Sequence, residues 1–369
     1  MSLPRRHMLK LVGGGVVLAA TAPPAVFLST RTPTKALASW SAAGGYGEAR
    51  MNALSWAILA PNPHNRQPWI AELSGTDTVR IFRDLGRDLP VTDPFSRQLT
   101  IGMGCFLELM VIAASITGHG VELRLFPDGE AGPVASATFT AGTARLDPLF
   151  AHAAQRRSCK EPFAETAVPA DVAALLARYG RIVTDPATVS TLRSLTWDAW
   201  LTESTTDAAN RESVALMRLG KREIEASPDG IDLGGPMLDT LAALGQISRA
   251  DLLDPQSSAS RQGVAMYRAM LEATPAYAVL TSGGNGRIDQ IEAGRRWLRL
   301  NLAATGLGLA IHPVSQALQE FAQMKPHYDA AHALLARPGE TVQMLGRLGY
   351  GPKTPPSPRW PLETRLRDA

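Results

Sequence analysis

The stretch RQLTIGMGCFLELMVIAASITG, residues 97–118, is apolar on nearly every face. A surface helix sets an apolar stripe against a polar one, so a helix that is apolar all round must be buried among other elements. The chain therefore has to fold around a central helix. A second long, mostly apolar helix is predicted over 290–308, ending at glycines. Each of the two closes on Thr-Gly (Thr117-Gly118 and Thr305-Gly306) and runs on into a strand-like segment. The two halves repeat one pattern once, with too long a period and too few copies for a solenoid.

Around these helices the hydrophobic pattern predicts a helix at 48–60 ending at Pro61, and short strands near 69–73, 78–83, 120–127 and 134–140. Asp147 is placed to cap the segment that opens the second half. Helices dominate 169–272, broken by the Gly/Pro/Asp loop 227–236; 276–284 reads as a buried strand, and 342–351 as the last strand before a proline-rich tail. The fold class is α+β: two similar lobes in one chain, with mixed or antiparallel sheets and long central helices. The N-terminal lobe is expected over 39–146 and the C-terminal lobe over 147–369, with a helical insert at about 205–272.

Residues 1–38 read as an address. Arg5-Arg6-His7-Met8-Leu9-Lys10 is similar to the twin-arginine consensus, with Met8 where Phe is usual. The apolar run from Leu11 to Leu28 contains glycines and Pro23-Pro24, which would break a spanning helix, and Ala36-Leu37-Ala38 is a small-residue cleavage site. Export through the twin-arginine translocase to the periplasm is expected, with an uncleaved membrane anchor as the alternative. Of 37 basic side chains against 34 acidic ones, five lie in those 38 residues, which hold no acid. The remaining 32 against 34 give no basic surface for nucleic acid. Cys105 and Cys159 are too few for a disulfide framework or a cysteine-rich metal site. His327 and His332, five residues apart, do not share the helix face that zinc requires, and read as surface histidines.

Four segments carry a family resemblance. APNPHNRQPW (60–69), RRSCKEPF (156–163), GLGLAIHPVSQ (306–316) and PPSPRWPL (355–362) resemble motifs of the FMN-dependent nitroreductase family, and the chain is most like its fused two-lobe, Acg-like branch. The resemblance implies a nitroreductase-like fold and bound FMN. It puts Arg156, Arg157 and Ser158 on the phosphate and ribityl chain, Lys160 toward the pyrimidine end, and Arg359 on the phosphate. Pro61, Asn62, Pro63 and Asn65 are placed along the flavin ring or its support. The turn Pro313-Val314-Ser315-Gln316 lies under the ring, where Ser315 and Gln316 replace the Glu-Gly of many relatives and a backbone N–H would serve flavin N5.

These residue types suit that chemistry. Guanidinium forks match phosphate oxygens and an ammonium adds a point charge. A Pro-x-Pro loop is stiff and loses little entropy on binding. His64 is a proton donor to substrate or a solvent-exposed loop histidine. The loop occurs once, in the first half, and Arg-Arg-Ser once, in the second, which implies a pseudo-dimer in one chain keeping one composite site. A monomer is expected. The expected activity is two-electron transfer to a small oxidised acceptor: a quinone, nitro-compound or enone. NAD(P)H is a possible donor but scarce outside the cytoplasm, so weak reduction by it is expected. A protein that sequesters FMN or senses redox state is the alternative.

Overall fold

A computed structural model describes residues 32–368. The twin-arginine motif and the apolar run of the expected signal lie outside the described residues. In chain order the elements are helices α1 (Thr34–Ala42) and α2 (Ala49–Ala57), strands β1 (Trp69–Ser74) and β2 (Thr78–Arg83), helix α3 (Arg97–Ala114), then β3 (His119–Leu125) and β4 (Ala135–Ala141). The second half runs α4 (Ala170–Leu176), β5 (Arg181–Val183), α5 (Pro186–Thr205), α6 (Asp207–Ala215), β6 (Met217–Leu219), α7 (Gly220–Ala226) and β7 (Ile231–Leu233). It continues through α8 (Pro236–Ala243), α9 (Arg249–Leu253), α10 (Ser258–Glu272), β8 (Ala276–Ser282), α11 (Arg287–Gly306) and β9 (Ala310–Pro313). The last elements are α12 (Lys325–Leu335), β10 (Thr341–Gly349) and β11 (Leu366–Arg367).

Two sheets flank the central helices. One has the order β11-β1-β2-β4-β3, antiparallel except for β11, which pairs parallel with β1 (Ala71 opposite Leu366). The other, β5-β8-β10-β9, is antiparallel throughout, and β6 and β7 form a small parallel pair inside the helical insert. α3 is long and apolar enough to cross a membrane, yet 89% of its apolar window is buried inside the protein, so it is a core helix. It packs against α11 through two glycines. A Cβ on Gly104 would lie 2.2 Å from the Ile291 carbonyl oxygen, and one on Gly294 only 2.0 Å from that of Ile101. The Cys105 thiol donates to the Gly294 carbonyl at the same crossing (3.1 Å).

Charge reinforces this contact. Glu108, on α3 and 1% exposed, accepts from Arg295 (2.5 Å) and from Arg299, both on α11. Arg97, fully buried at the start of α3, donates to the Gln343 carbonyl (2.8 Å) and the Leu318 carbonyl (2.7 Å). The β8–β10 register shifts between Val342 and Met344, and Gln343 at that irregularity meets Arg97, Ser282 and Asn285.

Residues 34–38, expected to leave with the signal, form the first turn of α1 in the full chain; Ala36 is buried and its carbonyl accepts the Arg359 N–H at 2.8 Å. Two readings change. β11 joins the first sheet although its residues were assigned to the second lobe, because the tail returns across the molecule. His327 and His332 are half-buried and bonded, to the Thr202 hydroxyl and to the Tyr328 carbonyl and Val342 N–H respectively, and are not free surface groups.

Candidate functional site

The loop after α2 holds a strained shape. His64, Asn65 and Gln67 have φ of 47°, 51° and 50°, a left-handed conformation that costs non-glycine residues energy and survives only where the surroundings impose it. Asn62 does much of the imposing. Its Nδ2 donates to the Ala60 carbonyl (3.1 Å) and its Oδ1 accepts the Gln67 N–H (2.7 Å), stapling the loop across five residues. Gln67 is fully buried, donating to the Pro228 carbonyl (2.7 Å) and accepting the Trp360 N–H (2.9 Å). Asn65 donates to the Pro358 carbonyl and accepts from Arg359, so it supports the loop from behind.

The expected segments converge. A Cβ on Gly102 would meet Pro63 at 3.0 Å and Asn62 at 3.1 Å, so the loop rests on α3 at that glycine. One turn earlier on the same helix face, Gln98 accepts from the Ser315 hydroxyl (3.1 Å). Ser158 bridges to Ile311 on β9, and the Cys159 N–H donates to the Ile311 carbonyl (3.0 Å). Lys160 is exposed and close enough to His64 and His312 to depress the proton affinity of both. Thus 61–65, 156–160 and 313–316 meet around the start of α3. Val314 is buried and its N–H is taken by the Leu345 carbonyl (2.9 Å), so it cannot serve flavin N5; the Ser315 N–H meets no carbonyl among the described residues. Gln316 lies against Glu203 and Tyr267, and burial raises the pKa of both.

The cationic end is the most informative feature. Arg156 and Arg359 are 3% and 2% exposed. Arg359 spends its donors on the carbonyls of Ile58, Leu59, Ala60 and Pro358 and on Asn65 Oδ1, capping the chain leaving α2. With those contacts made, it offers an anion charge and no free fork. Arg156 donates once, to the Leu59 carbonyl (3.1 Å), and its Nη1 is buried with no partner among the described residues. Arg157 bonds only to backbone carbonyls, and its Nε is likewise buried and unpartnered. Burial, reinforced by Arg157, lowers Arg156 to about 10; burial, reinforced by Arg156, lowers Arg359 to about 9. Among the described residues none of the three touches a carboxylate. Buried cations without a counter-charge are costly, so this corner is built for an anion.

The insert closes over the loop. Asp229 accepts from Arg66, Arg87 and Arg218, and the Gly230 N–H donates to the Asn65 carbonyl (3.2 Å). His64 keeps an unpartnered, buried Nδ1, and burial lowers it to about 4 against a weaker pull from Glu212. The residue as a whole is half-buried. Because unfolded histidine binds a proton near pH 6.5, stability should be full above that pH and fall toward pH 4. His312, also pushed well down by burial, adds to the same slope. Urea titrations at pH 7 and 5 check this; a His64→Gln variant that keeps the full slope would remove His64 as a source. Two open clefts of about 440 and 510 Å³ lie elsewhere, around Arg181–Arg337 and Arg193–Pro275.

No family model matches the chain. A Mycobacterium tuberculosis protein provisionally named an NAD(P)H nitroreductase is 27% identical over 348 residues, covering 86% of this chain and 94% of its own length. The chain is thus similar, over most of its length, to a protein that carries a nitroreductase name. A second protein of that organism, provisionally named the NAD(P)H nitroreductase Acg, is 35% identical over 79 residues, 21% of this chain and 23% of its own. The FMN-dependent nitroreductase NfnB of Mycobacterium smegmatis, solved with NADPH, is 20% identical and covers 57% of this chain and 93% of its own, with a TM-score of 0.35. A structure from Anabaena variabilis provisionally named a nitroreductase is 13% identical and covers 74% of this chain and 69% of its own, with a TM-score of 0.38.

Sequence reasoning found the loop and the arginine pair and singled out the Gly/Pro/Asp loop that carries Asp229, but missed Gln98 and Gly102. Gly102 had a signal, a glycine within an otherwise apolar helix; Gln98 had none.

Proposed function

We propose that the chain is an FMN-dependent oxidoreductase of nitroreductase type, passing two electrons to a small oxidised acceptor such as a quinone, nitro-compound or enone. The observation that carries this is the corner of buried Arg156 and Arg359 and half-buried Arg157, with two orphaned guanidinium N–H groups and no carboxylate contact among the described residues. A phosphate fits it. FMN, when bound, supplies the electron transfer through its N5 edge. Arg156 and Arg157 would bind the phosphate with Ser158 beside them, while Arg359 adds charge and holds the loop. Pro61, Asn62 and Pro63 would wall the ring, and Lys160 would face its pyrimidine end. The Ser315 and Gln316 N–H groups, neither of which meets a backbone carbonyl among the described residues, are the donors left in the turn for N5. His64, neutral at pH 7, would accept or share a hydrogen bond with the acceptor and would not bring a charge.

The chain is further proposed to be a monomeric pseudo-dimer with one composite site, exported through the twin-arginine pathway to the periplasm. NAD(P)H is the donor to test first, since it is in the name of the full-length relative. The protein purified without added flavin should carry a flavin absorption band. Anaerobic NADPH that bleaches it supports an NADPH-driven oxidoreductase; a band that persists points to another donor. A chain that takes up no flavin even on reconstitution overturns the proposal. A sequestering or redox-sensing role is favoured by one observation, the insert's bonds to Asn65, Arg66 and Gln67, which tie it to the loop.

A further inference from the structure

Helix α1 lies against the arginine corner. Its Trp40 ring faces the Arg157 guanidinium at 4.3 Å and that of Arg359 at 5.8 Å. Cation–π contact of this kind attracts most when the cation is withdrawn from water, as Arg359 is fully and the half-buried Arg157 is in part. The helix is pinned at four points. Ala36 accepts the Arg359 N–H (2.8 Å), the Ser39 hydroxyl donates to the Trp360 carbonyl (3.2 Å), and the Trp40 indole N–H donates to the Ser357 carbonyl (2.8 Å). At its start, the Lys35 N–H reaches Glu225 on α7 at 3.4 Å. Ala36 and Ser39 are buried in it, Trp40 packs half-buried against the core, and the helix also touches α2 and α7. Its side-chain hydrogen bonds are directed at the 357–360 tail.

Arg157 has no acid to orient it; its side-chain bonds go to the Ala154 and Arg156 carbonyls next to it in sequence. The face of its guanidinium is fixed by Trp40 alone among the described rings. We infer that Trp40 is a positioning residue for the anion corner: by stacking on Arg157 and Arg359 it aims Arg157 at a phosphate, so α1 is a wall of the cofactor site. This rests on the flavin reading above. A cut after Ala38 would sever Ala36 from Trp40 and release the wall.

The test compares FMN with riboflavin, which has the same ring and no phosphate, on the full 369-residue chain and its Trp40→Ala and Trp40→Phe variants. Trp40→Ala should lose about tenfold in FMN affinity while riboflavin affinity stays the same, and Trp40→Phe should keep most of the FMN affinity because a ring remains. Equal loss for both flavins would mean that Trp40 only supports the fold, and unchanged FMN affinity would remove it from the site; either overturns the inference with the flavin reading intact. A parent chain that binds neither flavin would overturn both. Thermal melts of the flavin-free variants separate misfolding from a specific loss.

Discussion

Gly294→Val should lower the melting temperature by on the order of 5–10 °C and take flavin occupancy down with it. The reason is geometric. Even a Cβ at this position would sit 2.0 Å from the Ile101 carbonyl oxygen and 2.9 Å from Gly104 Cα, and both obstacles are backbone. No rotamer change relieves such a clash, so α3 and α11 must move apart. Separation would also stretch the buried Glu108 pairs with Arg295 and Arg299, and breaking a buried pair costs about 3–5 kcal/mol. That is a large share of a total near 5–15 kcal/mol. Because Gln98 and Gly102 lie on α3 under the turn and the loop, the same movement disturbs the site. A Gly294→Val protein with the parent's melting temperature would mean that the helices do not cross here.

Arg156→Leu should act with opposite signs on the empty and the loaded protein. Removing the guanidinium gives up one hydrogen bond to the Leu59 carbonyl, about 1 kcal/mol, but also removes a buried, unneutralised charge. The flavin-free melting temperature should therefore hold or rise. FMN affinity should fall by about 10- to 100-fold, the loss of one charge-assisted hydrogen bond or fork to phosphate. Riboflavin binding should be little changed. Paired melts and titrations read both signs, and an unchanged FMN dissociation constant would take Arg156 off the phosphate.

The two variants show what could be read from sequence and what could not. The all-round apolar run at 97–118 fixed a buried helix, and α3 is one. Nothing in it distinguished Gly102, which seats the loop, from Gly104, which admits α11, because both roles depend on where other elements approach. Arg156 and Arg359 were visible as motif residues. Their division of labour was not: five donors on Arg359 are satisfied by nearby carbonyls, and counting them needs the folded chain. Val314 lost its expected part for the same reason, its N–H being spent on a strand partner. Asn62, expected against the ring, uses its amide to staple its own loop. α1 was missed because a signal-like composition hid a short helix whose anchors lie more than 300 residues away, at 357–360.

The parallel pairing of β11 with β1 also bears on how the molecule is made. Residues 366–367 complete a sheet whose first strand begins at Trp69. At typical rates of synthesis the gap between them takes on the order of tens of seconds to fill. Until then the first lobe keeps an open strand edge, and Arg359 has not reached the carbonyls of Ile58, Leu59 and Ala60 that it caps. The first half therefore cannot mature on the ribosome ahead of the second, as an independent N-terminal domain would. Both the sheet and the anion corner close only once residues 359–367 have been made, in one late step.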